Sequence, residues 1–467
     1  MIFLRQGEKI MIVMKFGGTS IEDVPSVERV VRIVASRLEE CPVVVNSAMG
    51  KTTRNLLEIA RASADGMDEM ALSHLDEIRE YHVDMARGLI KDFDNNDAGT
   101  ILEEYFEELR ELLGGISILR ELTPRNQDRI LSYGELVATT IIACALREYG
   151  INARWLDARD LIITNEAFTM ATPLNDITFR GIRKKVRPLV SSGYVPVIQG
   201  FIGSTRSGTT TTLGFEGSDF TAALVGAALD VSGIQIWKDV NGIMTADPRV
   251  FAGARTVRDI SFDEASELTF SGAKVLHPGT IEPARRKNIP VNIYNSRHPD
   301  AGGTTITAHA KTCDGIVKSI AYNMPVSIVN IVPASHADPA GFLRSVFDVL
   351  ERKSIMPCAI ASTVTGAAIA VGASGEMDHV ADEMGHFGSV SVVDGKATVS
   401  LVGENIRTTG GFAPLVFRNL EDIDIYMVSQ GASPISLTFV VNTEDVPMVI
   451  ARLHGVFFKD PDPDMPD

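Results

Sequence analysis

Lys15 closes a short apolar run, Met11 to Met14, and is followed by Phe16-Gly17-Gly18-Thr19-Ser20. A cation, two glycines and two hydroxyls in that order suit an anion with several oxygens. Glycine lets backbone N–H groups approach a phosphate closely, and a lysine adds a point charge. A helix-like pattern begins near Pro25, so a helix N-terminus would add partial positive charge. The same residues also describe a plain strand-to-helix turn with a solvated lysine, because short glycine motifs match by chance.

Other stretches carry similar chemistry. Ser47-Ala48-Met49-Gly50-Lys51-Thr52-Thr53 follows an apolar run, Cys41 to Asn46. Its Gly-Lys-Thr resembles the tail of a P-loop, but Val45 stands where that motif needs its first glycine, which argues against a Walker-type site. Glu135 follows Ser132-Tyr133-Gly134 at the expected start of an apolar helix running to Leu146. In a first turn, a carboxylate is favoured by the helix dipole alone. Gly200-Phe201-Ile202-Gly203 follows the run Val195–Gln199, and the threonines 209–212 lead through Gly214 and Gly217 to Ser218-Asp219 before the Ala-rich pattern 221–229. Lys238-Asp239 ends the run Ile234–Trp237, Asn241-Gly242 marks a tight turn, and Thr245-Ala246-Asp247-Pro248-Arg249 forms a loop bearing an arginine.

The elements that must position these residues alternate. Strand patterns at 11–14, 41–46, 153–156, 195–199, 234–237 and 291–294 are separated by helical ones, which predicts an α/β fold with an open, mostly parallel sheet sandwiched by helices. Ligands in such sheets lie at the carboxyl ends of the strands, where each of these loops would fall. Residues from about 56 to 125 read as an acidic helical insert, broken at Asp94-Asn95-Asn96-Asp97. After Val317 the pattern changes to short strands and helices in two similar halves. Each half has a glycine before a helix, Gly341-Phe342 and Gly411-Phe412, which predicts a duplicated α+β module. Val390–Val393 and Ala397–Val402 read there as separate strands, and the Pro- and Asp-rich tail from Lys459 as disordered.

Composition narrows the function. The chain has 467 residues, 45% apolar and 22% charged, with a net charge of −16. That suits a globular protein of two to three domains and disfavours nucleic acid or an anionic membrane as partner. The four cysteines (Cys41, Cys144, Cys313 and Cys358) are scattered without CxxC spacing or histidine partners. They read as reduced core thiols in a cytoplasmic protein. No signal peptide is evident and no apolar run reads as long enough to span a bilayer. Met1 to Ile10 carries no motif and reads as an extension, with Met11 as an alternative start.

Assembled in order, the loops resemble those of the aspartate kinases of the amino-acid-kinase superfamily. The likeness covers nearly the whole chain. It rests on KFGGTS from Lys15, SAMGKTT from Ser47, SYGE from Ser132, QGFIG from Gln199 and the Thr-rich loop ending at Asp219. It continues through Trp237–Arg249 and FSGAKVLHP from Phe270. The two C-terminal halves resemble tandem ACT domains, the second through Ser429-Gln430-Gly431-Ala432-Ser433. The resemblance implies a catalytic domain over 1–315, ACT domains over 316–394 and 395–459, and a tail over 460–467. It implies ATP-dependent phosphorylation of L-aspartate to 4-phospho-L-aspartate at the entry to lysine, threonine and methionine synthesis. ATP and Mg²⁺ would be the cofactors, with an amino-acid effector at the ACT domains and an ACT-mediated homodimer. By motif, Lys15, Asp219 and Lys274 would be catalytic. Lys15, Phe16, Gly17, Gly18, Lys238, Asp239, Met244, Arg249, Lys274 and Val275 would contact ATP. Ser47, Thr53, Glu135, Phe201 and Ser218 would contact aspartate. No residue is assigned as a metal ligand.

Two residues depart from the family pattern. Phe215 stands where the family commonly has an arginine that clamps a substrate carboxylate, which leaves three outcomes: another cation such as Arg206, weaker aspartate binding, or a different substrate. Cys358 stands where lysine-sensitive members carry an acid, so lysine inhibition is an open point. The competing readings are a kinase for another amino-acid carboxylate and a non-catalytic ACT regulator. A fused dehydrogenase fails because the chain has no GxGxxG.

Overall fold

The computed structural model describes residues 10–214, 216–273, 276, 278–310, 316–334, 338–373 and 377–458. Phe215, Lys274, Val275, Cys313 and the tail from Lys459 therefore lie outside the described residues. The chain forms two compact units, one of Met1–Gly242 with His277–Ala308, the other of Ile243–Leu276 with His309–Asp467.

In the first unit the strands run in the order Ala153–Leu156, Val195–Gln199, Pro42–Asn46, Ile12–Phe16, Gly233–Lys238, Val291–Asn295 and Gly303–Thr307. All neighbours are parallel except the last pair. Every residue of Ile12–Phe16, Pro42–Asn46 and Val195–Gln199 is buried. Uninterrupted apolar strands are what a sheet covered on both faces requires.

The register identifies the two faces. Lys15 is level with Val45 and Ile198, and Phe16 with Asn46 and Gln199. Lys15 pairs with Asp219 on the helix Gly217–Leu229, whereas the Gln199 amide donates to Thr139 on the helix Pro124–Glu148. Successive rows point to opposite faces, so these two helices cover opposite sides of the sheet.

The helix bearing Glu135 is longer than its sequence pattern suggests. It begins at Pro124, with Thr123 as N-cap accepting from the Asn126 N–H at 3.2 Å. Glu135 therefore sits in the helix interior, and the first-turn dipole explanation does not apply to it. A Thr-Pro pair is a recognised start signal that the apolar pattern overshadowed. This helix is also long and apolar enough, by composition alone, to cross a membrane, contrary to the expectation that no run would be; 94% of its most apolar window is buried within the protein.

In the second unit one antiparallel sheet runs Pro357–Thr363, Gly366–Gly372, Ser319–Pro333, Gly388–Val402, Ser436–Asn442, Met427–Gln430. The two central strands pass through both halves, so the expected strands 390–393 and 397–402 are one, with a register irregularity in its pairing near Val326. Each half has its own apolar core, one around Val346, Ile369 and Val380, the other around Val399, Phe439 and Leu453. Gly411 caps the helix Phe412–Arg418 at φ 79°, but Gly341 lies inside Pro339–Arg352, where Asp338 is the cap. Ala246 joins the second core, with Val250, Phe251 and Ala254 packed against it.

Candidate active site

Three charged side chains from distant positions meet in the first unit. Lys15 comes from the end of a central strand, Asp219 from the first turn of Gly217–Leu229, and Lys238 from the end of the neighbouring strand. Asp219 Oδ1 is 2.6 Å from Lys15 Nζ, and Oδ2 is 3.0 Å from Lys238 Nζ. Glu216 is 3.6 Å from Lys238. Burial by itself would raise the Asp219 pKa, but the two ammonium groups outweigh it and hold the carboxyl below its ordinary range. Burial opposes the charge on Lys238, and the Asp219 and Glu216 carboxylates more than offset that, raising its pKa. Desolvated ions persist only when paired in this way.

The glycine turn is held by backbone contacts. The Gly17 N–H donates to the Trp237 carbonyl at 3.1 Å, and the Gly50 N–H to the Gly18 carbonyl at 3.0 Å. A Cβ at Gly18 would lie 2.8 Å from the Gly50 oxygen and 2.9 Å from the Ala48 oxygen, both main-chain atoms. A Cβ at Gly17 would meet only ordinary contacts, at 3.6 Å and beyond. Phe16 is buried and stacks on Trp237 with centroids 6.1 Å apart.

A cavity of about 410 Å³ opens in the same unit. Ser47, Thr53, Glu135, Phe201 and Ser218 all line it. Glu216 lines it too, and its pairing with Lys238 links the cavity to the charged cluster. Glu135 is 2% exposed. One of its oxygens accepts from the Ala48 N–H at 3.2 Å and from the Thr53 hydroxyl at 3.5 Å, and the other has no hydrogen-bond partner among the described residues. Burial pushes its pKa up to about 8, against those hydrogen bonds. A buried carboxyl with one unengaged oxygen is suited to a ligand cation.

Sequence motifs did not single out Gln127, Leu131 and Thr169, which join Thr212 of the threonine run in the lining. Gln127 and Leu131 share the helix of Glu135, so helical spacing was an available signal; Thr169 had none. Among the described residues the lining holds no lysine or arginine. Arg206, suggested as a replacement cation, sits exposed in the turn between Ile202–Thr205 and Thr210–Thr212.

The other expected nucleotide residues among the described ones stand as follows. Asp239 is exposed at the end of its strand. Met244 and Arg249 belong to the second unit, where Arg249 is exposed and its NH2 lies 2.7 Å from Asp247. There the Thr245 hydroxyl and His454 Nε2 are 2.9 Å apart, and Tyr322 donates to Asp247 at 3.1 Å.

The description "Amino acid kinase family" fits residues 11–295, and "ACT domain" fits residues 399–457. Lysine-sensitive aspartokinase 3 of Escherichia coli is 34% identical over 463 residues, covering 96% of this chain and 99% of that protein. The chloroplastic aspartokinase 1 of Arabidopsis thaliana is 35% identical over 469 residues, covering 97% and 81%. Among solved structures, E. coli aspartokinase III in complex with aspartate and ADP superposes with a TM-score of 0.82 at 32% identity, covering 96% of this chain and all of that one. The same enzyme with lysine and aspartate gives the same score. With both modules, their order and near-complete coverage in agreement, the chain belongs to the amino acid kinase family and, within it, to the aspartokinases.

Proposed function

We propose that this chain transfers the γ-phosphoryl group of ATP to the side-chain carboxylate of L-aspartate, giving 4-phospho-L-aspartate and ADP. The observation that carries it is the Lys15–Asp219–Lys238 cluster, joined through Glu216 to a cavity lined by Ser47, Thr53 and Glu135.

The acceptor carboxylate is already ionised near neutral pH, so the reaction requires no general base. The difficulty is bringing two anions together and neutralising the charge that moves, which is a matter of position and fixed cations. Lys15 and Lys238 supply two of those cations, and Lys274 a third by motif. Asp219 orients both lysines; paired to two ammonium groups, it is poorly disposed to take a proton. Gly17 and Gly18 leave room beside Phe16 for the phosphates to approach the main chain, while Asp239, Met244, Arg249 and Val275 form the nucleotide side. Ser47, Thr53, Phe201 and Ser218 hold aspartate, and Glu135 receives its ammonium.

Mg²⁺ fits this arrangement only as a companion of the nucleotide. No group of three or more potential protein ligands occurs among the described residues, and Mg²⁺ in such sites is held largely by phosphates and water with one or two carboxylates. Both Asp219 oxygens are paired to lysines, so Asp219 would reach such an ion only through a bound water, and the ion would neutralise phosphate charge.

The ACT halves, divided near residue 394, take an amino-acid effector and join two chains in a cytoplasmic dimer. Cys358, which accepts from the Asn323 amide at 3.3 Å, supplies no carboxylate for an effector ammonium. ATP-dependent hydroxamate formation, with aspartate and glutamate compared and lysine or threonine added, tests the whole reading. Aspartate should be turned over well above glutamate. Turnover of glutamate alone would overturn the acceptor, and a monomer in sedimentation would overturn the dimer.

A further inference from the structure

The cavity poses a problem of charge. An acceptor with two carboxylates must bind where the described walls offer two carboxyl groups, Glu135 and Glu216, and no cation. Carboxylates held without cations need several neutral donors. The Thr53 hydroxyl has only a long contact, 3.5 Å, to Glu135, while the Thr212 hydroxyl donates at 2.6 Å to Asp128.

Asp128 is fully buried. Its two oxygens accept from the Thr169 N–H at 3.1 and 2.9 Å and from the Thr212 N–H at 2.9 Å, besides the Thr212 hydroxyl. One carboxylate on the core helix thus ties down two cavity-lining segments that are remote in sequence. Thr169 is held with φ at 71°, in the left-handed region. That region suits glycine, and a β-branched residue there is a true outlier. A glycine would remove the strain; what threonine adds at this cavity-lining position is a hydroxyl. Strain held by a buried clamp marks a position where the side chain is needed.

We propose that Thr169 is a specificity-determining residue whose hydroxyl donates to a carboxylate of the acceptor, and that Asp128 is the positioning residue that fixes it there. The inference rests on the aspartate reading above. It makes the acceptor's anionic end a set of neutral donors, in which Thr169 takes part of the work of a missing cation.

Thr169→Val keeps the shape and removes the hydroxyl. Thr169→Gly removes the side chain and relieves the backbone, so it should melt no lower than the parent. Each should raise the KM for aspartate about tenfold, the usual loss for a hydrogen bond to a charged group, with kcat and the KM for ATP within about twofold of the parent. Asp128→Asn, which replaces an acceptor oxygen with a donor, should raise the aspartate KM at least as much, and Asp128→Glu should recover part of it. A parent KM in Thr169→Val would overturn the contact, even if Asp128→Asn were impaired. A parent that consumes no ATP with aspartate would instead overturn the acceptor assignment.

Discussion

Asp219 and Lys15 are paired at 2.6 Å although 204 positions of chain separate them, and both are almost wholly buried, with side-chain exposures of 2% and 7%. The pair lies where a central strand ends and a helix begins, and Lys238 makes it a triad. Lys15→Ala should lower kcat by about 10²-fold or more while the fold survives, because Asp219 keeps Lys238 as partner. Asp219→Asn should do similar damage and also destabilise the unit by about 3 kcal/mol, since two ammonium groups lose their counter-charge. Steady-state kinetics and thermal melts check both; full kcat in Asp219→Asn would remove its orienting role.

The two glycines after Phe16 should respond differently to alanine. Gly18→Ala must push a methyl against two main-chain oxygens at under 3 Å, so the turn has to open and both stability and activity should fall sharply. Gly17→Ala has room, so its melting temperature should stay close to the parent's while the KM for ATP rises. Equal melting losses for both variants would show that close approach does not set the turn.

Glu135 gives the enzyme a pH signature. Its pKa near 8 keeps the free carboxyl mostly neutral at pH 7, whereas the aspartate ammonium favours the charged form. Binding of aspartate below about pH 8 should release a proton, and the KM should fall as pH rises through that value. Calorimetry in buffers of different ionisation enthalpy reads the proton directly. The raised value also costs stability: as pH climbs from 4.5 toward about 8 the unfolded chain ionises first and the fold loses ground. Glu135→Gln should abolish the proton release, weaken aspartate binding, and melt higher than the parent near pH 8.

In the second unit, His454 joins the helix Val446–Phe457 to Thr245, and its ring makes tilted contacts with Phe251 at 4.4 Å and Phe458 at 4.6 Å. His454→Ala should therefore loosen the segment that carries Met244 and Arg249. The expected result is about 2 kcal/mol of lost stability and a higher KM for ATP, with the KM for aspartate unchanged. A variant altered in neither melting nor ATP kinetics would detach that segment from the helix.

Much of this was legible in the chain itself. The strand at 12–16, the glycine turn, the Ser-Asp helix start and the strands at 42–46 and 195–199 each announce themselves within about ten residues. Their spacing also implies that the loops gather at one end of a parallel sheet. Less legible were features whose signal is not local. The helix start at Pro124 was masked by the more apolar stretch after it. A single strand from 388 to 402 was split by Asp394-Gly395, which reads as a turn and is accommodated as an irregularity within the sheet.

By itself the sequence determined the fold class, the order of its loops and the family, because backbone-directed motifs are contiguous and depend on glycine, hydroxyl and cap residues at fixed offsets. Only the tertiary structure decided that Asp219 is shared between Lys15 and Lys238, and that Glu135 lies buried with one oxygen unengaged. It also decided that Asp128 clamps Thr169 and Thr212. Those facts belong to pairings across tens to hundreds of residues. Burial sets the cost of each charge, and burial exists only once the sheet and its two helical layers have closed around it.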